Sequence, residues 1–233
     1  MKIGILECDK VRDSLVADFG SYPEMFTNLL KAVEPTLDFR AYEVINGHLP
    51  QNIHECDAYV ITGSKHGAYE NIAWITQLKQ FVIELDKGRK KLVGVCFGHQ
   101  LIAMALGGTV EKYSGGWGVG IQQYDVIQRP AWMKASNPQF ALLATHQDQV
   151  INMPEGAELL ATNTFCQNAM YRIEDHILTI QAHPEFCKDY CRKLIDIRRE
   201  MIGAEVSDRA LESMQLTHEG ELFARWMVEF IKN

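Results

Sequence analysis

Residues 92–103 read Leu92-Val93-Gly94-Val95-Cys96-Phe97-Gly98-His99-Gln100-Leu101-Ile102-Ala103, an apolar run that breaks at a cysteine flanked by glycines and resumes with helical spacing. This is the pattern of a strand, a tight turn and a helix. Gly94-Val95-Cys96-Phe97-Gly98 is the cysteine form of the Gly-x-Ser-x-Gly elbow. There the nucleophile sits on a strained strand-to-helix turn, and its neighbours are small so that the backbone can fold sharply around it. The reading places Cys96 exposed at a helix N-terminus, where unpaired N–H groups favour the thiolate of a thiol whose free pKa is about 8.5. The same N–H groups can hold an oxyanion. Gly-x-Cys-x-Gly alone fits equally well a buried structural cysteine between a core strand and a core helix, since cysteine is among the most buried residue types. The surrounding chain decides between the two.

Upstream, Lys2 to Glu7 is a short β-rich run, Asp9 to Ser21 has no clear period, and Pro23 to Val33 carries Met25, Leu29, Leu30 and Val33 at helical spacing. Asp38 to Ile45 alternates weakly. Ala58 to Thr62 reads as a buried strand that ends in the small-residue loop Gly63-Ser64-Lys65-His66-Gly67. From Ile72 to Lys87 a helical stripe of Trp74, Ile75, Leu78, Phe81, Val82 and Leu85 ends at Gly88, just before the strand that leads to Cys96. Strands alternating with helices of this length imply an α/β fold, a parallel sheet covered on both faces whose ligands bind beyond the C-terminal strand ends. Both glycine-bearing turns lie on that rim.

From Thr109 to Gln181 the texture changes to strand-like pieces, Val119 to Ile127, Ala141 to Thr145, Glu158 to Thr162, Ala169 to Ile173 and Ile177 to Gln181, which read as antiparallel additions to the sheet. After Pro184 the chain turns helical. Tyr190, Leu194, Ile197 and Met201 fall on one face, as do Leu222, Phe223, Trp226, Met227 and Phe230. The segment 187–233 is therefore expected to dock on the body of a single domain spanning 1–233.

The chain of 233 residues has a formal charge of −7 and is 47% hydrophobic and 23% charged. The negative charge argues against a nucleic-acid or anionic-membrane partner and in favour of a small-molecule substrate. The six cysteines are scattered, the N-terminus enters a strand without a signal-peptide layout, and there is no long apolar run, so the expected location is the reducing cytoplasm.

A cysteine nucleophile requires a base in hydrogen-bond reach and a group to orient that base. Ile177-Leu178-Thr179-Ile180-Gln181-Ala182-His183-Pro184-Glu185 is a strand running into a turn. Its period of two puts His183 and Glu185 on one side if the backbone stays extended, which Pro184 encourages.

Taken together, Gly-Val-Cys-Phe-Gly-His-Gln at 94–100 and Gln-Ala-His-Pro-Glu at 181–185 resemble the class I (triad) glutamine amidotransferases and their stand-alone relatives, including GMP synthase-like amidotransferase domains and γ-glutamyl peptidases. The resemblance implies a flavodoxin-like open, mostly parallel sheet with no cofactor and no metal. It implies Cys96 as nucleophile, His183 as base and acid, Glu185 as the residue that orients His183, and a γ-glutamyl thioester that water or an acceptor resolves. The oxyanion is implied to rest on backbone N–H groups of Phe97 and of the Gly63-Ser64 loop. Gln100, the loop Gly116-Trp117-Gly118 and His146, in Thr145-His146-Gln147-Asp148, are implied to contact or border the substrate. For Gln100, His146 and Asp148, helix contacts and a hydrogen-bonded turn are equally good readings. Fused members usually read Gly-Gly-Pro where this chain has Gly63-Ser64-Lys65, which implies a differently set oxyanion loop. No synthetase domain follows Glu185, so acceptor-side chemistry would come from a separate protein or be absent.

Within this class the sequence leaves open a glutamine-directed hydrolase and a γ-glutamyl peptidase. From other classes come a zinc site built from Cys96, His99, His146 and His183, since Cys-x-x-His is a ligand spacing, and a catalytically silent regulatory subunit. Cys187 and Cys191 read as two core thiols, with a metal or redox pair as the alternative.

Overall fold

A computed structural model describes residues 1–134 and 137–233. The first half alternates: β1 (Lys2–Glu7), α1 (Asp13–Phe19), α2 (Tyr22–Val33), β2 (Asp38–Glu43), β3 (Ala58–Ile61), α3 (Ala73–Lys87), β4 (Lys91–Val95) and α4 (Phe97–Ala105). Seven strands follow: β5 (Thr109–Lys112), β6 (Gly118–Val126), β7 (Gln139–His146), β8 (Asp148–Asn152), β9 (Ala157–Thr162), β10 (Met170–Ile173) and β11 (Ile177–Ile180). Three helices close the chain: α5 (Lys188–Ile202), α6 (Ala204–Ser213) and α7 (Gly220–Lys232).

Nine strands form one sheet in the order β2-β1-β3-β4-β11-β10-β9-β6-β7. The first five are mutually parallel and the last four are added antiparallel. Strand alternation sorts the core into two layers. Ile3, Ile5, Ala58, Val60, Val93 and Val95 pack with α2 and α7 on one face, while Leu6, Tyr59, Ile61 and Leu92 pack with α3 and α4 on the other. With both faces covered, β3 and β4 are buried almost throughout, which explains their unbroken apolar sequence.

Four elements differ from the sequence expectation. Asp13–Phe19 is helical although it lacks an apolar period, because only Leu15 of the helix is fully buried. β5 and β8 form a separate two-stranded sheet whose short, half-exposed strands carry too few apolar positions to show a period. On α5, Tyr190 and Leu194 are buried as expected, but Ile197 and Met201 are 42% and 68% exposed.

The last helix carries its predicted stripe into the core. Phe223, Trp226, Met227 and Phe230 are buried against α2 and the sheet. Trp226 meets Phe140 edge-on at 5.2 Å and donates from Nε1 to the Lys134 carbonyl at 3.0 Å. Each such side chain contributes about 1.5–3 kcal/mol through burial alone. Trp226→Ala is expected to lower the free energy of unfolding by about 3–5 kcal/mol in urea titrations. A loss below about 1 kcal/mol would show that α7 is not part of the cooperative core.

Candidate active site

The elbow forms because β4 and α4 approach too closely for side chains at the flanking positions. A Cβ on Gly94 would lie 2.7 Å from the Gly98 carbonyl oxygen, and one on Gly98 would lie 2.5 Å from the carbonyl oxygen of Ile61 in β3. Between them Cys96 adopts φ +53°, a conformation that non-glycine residues occupy only when the surrounding structure enforces it. Its amide donates to Ile180 O at 2.9 Å, and its carbonyl receives the Gln100 amide at 3.1 Å. The amide of Phe97 heads α4, where no carbonyl of the same helix can receive it. Contrary to the sequence expectation, Cys96 is only 6% exposed. It lies in the lining of a cavity of about 1320 Å³.

β11 runs parallel beside β4, with Ile180 opposite Val95, so the chain leaving β11 passes directly beside the elbow. There the His183 amide donates to Leu143 O at 2.7 Å, which ties the turn to β7. His183 Nδ1 meets Glu185 Oε1 at 2.7 Å, with the two side chains 4% and 0% exposed. The Cys96 side chain is close enough to act on the His183 ring, and a Cβ at Gly63 would approach both, 2.8 Å from His183 Cε1 and 3.7 Å from Cys96 Cβ. With Nδ1 on the carboxylate, Nε2 is the nitrogen left for the sulfur. Burial alone would depress the imidazole pKa, but the Glu185 carboxylate and the Cys96 sulfur outweigh it and raise the value to about 10. His183 is thus held as imidazolium at neutral pH.

The loop after β3 is anchored from the end of β1. The Lys65 amide and ammonium both bind the Asp9 carboxylate, at 2.9 and 3.1 Å, and Ser64 Oγ accepts the His66 amide at 3.2 Å. Proline at position 65 could not make the first of these bonds.

The remaining predicted residues lie nearby with varied tasks. Gln100 lines the cavity, yet its Nε2 donates to Asp148 O at 2.9 Å and Gln181 Oε1 at 3.0 Å, so only Oε1 is left for a ligand. His146 pairs with Gly118 across β6 and β7, and its Nδ1 donates to Asp148 O at 3.1 Å. Burial, reinforced by His183, lowers its pKa to about 4, so it is neutral, and its Nε2 is buried without a partner. Trp117 lines the cavity beside Gly116, whose φ is +93°.

The structure does not bring the four zinc candidates together. His99 is fully buried and its Nδ1 bonds Thr179 Oγ1 at 2.8 Å. Among the described residues only Glu174, Asp175 and His176 place three ligand atoms within 4.8 Å of one another. The Cys187–Cys191 expectation also needs correction. Cys191 is buried, but Cys187 is exposed, and its Sγ caps α5 by accepting the Tyr190 amide at 3.4 Å.

Sequence reasoning misses several cavity residues. Arg198 of α5 donates to Thr145 Oγ1 at 3.1 Å, and Ile197 and Met201 lie beside it. Tyr69 interacts with Asp148, whose carboxyl pKa burial raises. An arginine on the otherwise buried stripe Tyr190, Leu194, Arg198 is the available signal.

The family model for class I glutamine amidotransferases matches residues 15–190. Gamma-glutamyl peptidase 4 of Arabidopsis thaliana is 32% identical over 208 residues, covering 86% of this chain and 81% of that protein. One subunit of the glutamine-hydrolysing GMP synthase of Saccharolobus solfataricus is 26% identical over 163 residues, 69% of this chain and 84% of that one. Among solved structures, a glutamine amidotransferase from Methylobacillus flagellatus superposes with a TM-score of 0.78 at 20% identity, covering 99% of this chain and 92% of that one. The match over most of the chain agrees with the parallel half-sheet, the elbow after β4 and the turn after β11, and the chain belongs to the class I glutamine amidotransferase family.

Proposed function

We propose that this chain hydrolyses γ-glutamyl amides, with Cys96 as nucleophile, His183 as proton carrier and Glu185 as the group that orients and charges His183. The observation that carries this is the buried pair of Glu185 Oε1 and His183 Nδ1 at 2.7 Å, set beside the sulfur at the elbow. In the first step the Cys96 sulfur, as thiolate, bonds to the γ-carbonyl carbon. The developing oxyanion is received by the amides of Phe97 and of Gly63 or Ser64, whose value lies in being aimed before charge develops. The C–N bond breaks as His183 gives its Nε2 proton to the leaving amine, which leaves a γ-glutamyl thioester. Water then attacks that carbon and passes a proton to His183, and the thiolate leaves with the pair restored.

For binding, the Gly116-Trp117-Gly118 loop offers backbone groups at the cavity edge beside neutral His146. We favour a γ-glutamyl peptide or conjugate over free glutamine. The cavity of about 1320 Å³ exceeds even the ~300–1,000 Å³ typical of drug-sized ligands, and the γ-glutamyl peptidase relative matches more of the chain than the synthase relative does. Arg198, which donates to Thr145 Oγ1 and lines the cavity, is placed to receive a carboxylate on the substrate. The likeness to part of a GMP synthase supports a second reading, ammonia supply to a separate acceptor protein. In either case we read residues 1–233 as one working unit with reduced thiols, in keeping with its six free cysteines. No helix among the described residues is long and apolar enough to cross a membrane.

Product analysis distinguishes these readings. Purified protein is expected to release glutamate from γ-glutamyl dipeptides faster than from glutamine, without ATP, and Cys96→Ala is expected to reduce turnover at least ~10³-fold. Inertness toward every γ-glutamyl compound until a second protein is added would favour the ammonia-supplying role instead. Arg198→Gln is expected to raise KM for a γ-glutamyl dipeptide about tenfold or more, matching the loss of a charge-assisted bond.

The pH dependence follows from His183. Its folded-state pKa lies above the ordinary 6.5, so the pair's contribution to stability is complete below that value and is lost as pH rises through about 10. Glu185→Gln removes the raising carboxylate while burial continues to lower the pKa. The His183 midpoint, followed by NMR, is therefore expected to fall well below that of the wild type. The stability lost by the wild-type protein between those two pH values should shrink accordingly. An unchanged midpoint would remove Glu185 from the assigned role.

A further inference from the structure

The residue that follows Glu185 lies flat against the His183 ring. The centroids of Phe186 and His183 are 3.9 Å apart and their planes differ by 5°. A parallel contact this close sets the π face of Phe186 directly against the imidazole. Phe186 keeps an edge contact with Tyr190, at 4.7 Å and 73°. A cation over the same face is attracted to it. The close parallel contact therefore suits an imidazolium better than a neutral imidazole.

We propose that Phe186 is a positioning residue, which fixes the plane of the His183 ring and stabilises its protonated form by lying face-on against it. The proposal rests on the reading of His183 as proton carrier. Phe186 is itself held from elements distant in the chain. Tyr190 at the start of α5 packs on its edge, Tyr22 at the start of α2 stacks beyond it at 6.3 Å, and Tyr190 Oη donates to Tyr22 Oη at 3.1 Å. Phe186 is 4% exposed. A rigid ring in this place leaves His183 one orientation, with Nδ1 on Glu185 and Nε2 toward the sulfur. The ionisable groups around the imidazole and the Phe186 turn include Glu185 in the same turn, Cys96 at the elbow, neutral His146 from β7, His218 before α7, whose pKa burial lowers, and the two tyrosines, which feel Arg198 of α5 and Asp9 after β1. Of these, the Glu185 carboxylate and the Cys96 sulfur favour the imidazolium, and the ring face of Phe186 adds a third stabilising contact on the side those two leave open.

The test is the His183 titration, read from its imidazole NMR signal from about pH 5 to 11 and assigned with His183→Ala. It compares wild type with Phe186→Leu, which fills space without a π face, and Phe186→Tyr, which keeps one. The Leu variant is expected to titrate about 0.5–1.5 pH units lower, with the upper limb of its kcat–pH profile moving by the same amount. The Tyr variant is expected to titrate within about 0.3 units of wild type. Should the Leu variant fail to fold, Phe186→Met carries the same expectation, since methionine adapts to irregular space. An unmoved midpoint in the Leu or Met variant, or a Tyr variant shifted as far as Leu, would overturn the proposal. Turnover surviving in His183→Ala would instead refute the proton-carrier reading, and the titration would still report on the ring contact.

Discussion

The arrangement depends on a backbone turn at Cys96 that an ordinary strand-to-helix junction would not tolerate. A left-handed conformation at a residue with a side chain costs on the order of 1–3 kcal/mol and survives only where its surroundings leave no alternative. Here the surroundings are Gly94, Gly98 and the carbonyl of Ile61, packed so closely that a methyl group at either glycine would collide with backbone. The Cys96 amide is bonded to the end of β11, so the same turn fixes where the chain toward His183 begins. Sulfur, imidazole and helix N-terminus are brought together by the ends of adjacent parallel strands.

Electrostatics then determines what that proximity means. A histidine and a glutamate buried together are costly unless each supplies the other's charge. Desolvation pulls the His183 pKa down while the Glu185 carboxylate and the Cys96 sulfur push it up, and the push wins. The balance favours the charged form of His183 beside the sulfur. Around this centre the fold uses neutral or locally satisfied groups. His146 is uncharged, the Gln100 amide is engaged within the protein, and Asp9 is engaged by both the amide and the ammonium of Lys65. That last contact explains why the loop has Lys65 in place of proline. It uses an N–H that proline lacks, and it pins the loop after β3 to the segment that follows β1.

The features readable from the chain are those in which a local pattern has a local cause. The alternating strands and helices and the glycines around Cys96 follow from backbone geometry over a few residues, whereas His183 meets Glu185 through a turn at 184–185 and not through the extended backbone expected there. The stripe of α7 follows from burial of one helix face. What cannot be read depends on neighbours distant in sequence. A helix N-terminus is usually wet, which is the ground for expecting an exposed Cys96, but loops after β1 and β3 and the helix α5 build walls around it. Ile197 and Met201 keep the apolar spacing of a buried face although that face opens on the cavity. Arg198 has no motif to announce it, and the Phe186 contact needs coordinates, since its partners come from α2 and α5. β5 and β8 are too short and too exposed to carry a period.

The central claim is that the thiolate at the elbow forms a γ-glutamyl thioester. It is tested most directly by acid-quenching purified protein during turnover of a γ-glutamyl peptide and mapping the adduct by peptide mass spectrometry. The predicted result is a γ-glutamyl group on the peptide containing Cys96, absent from the five other cysteines and from Cys96→Ala. Steady turnover with no adduct on Cys96, or an adduct that persists on another cysteine in Cys96→Ala, would contradict it.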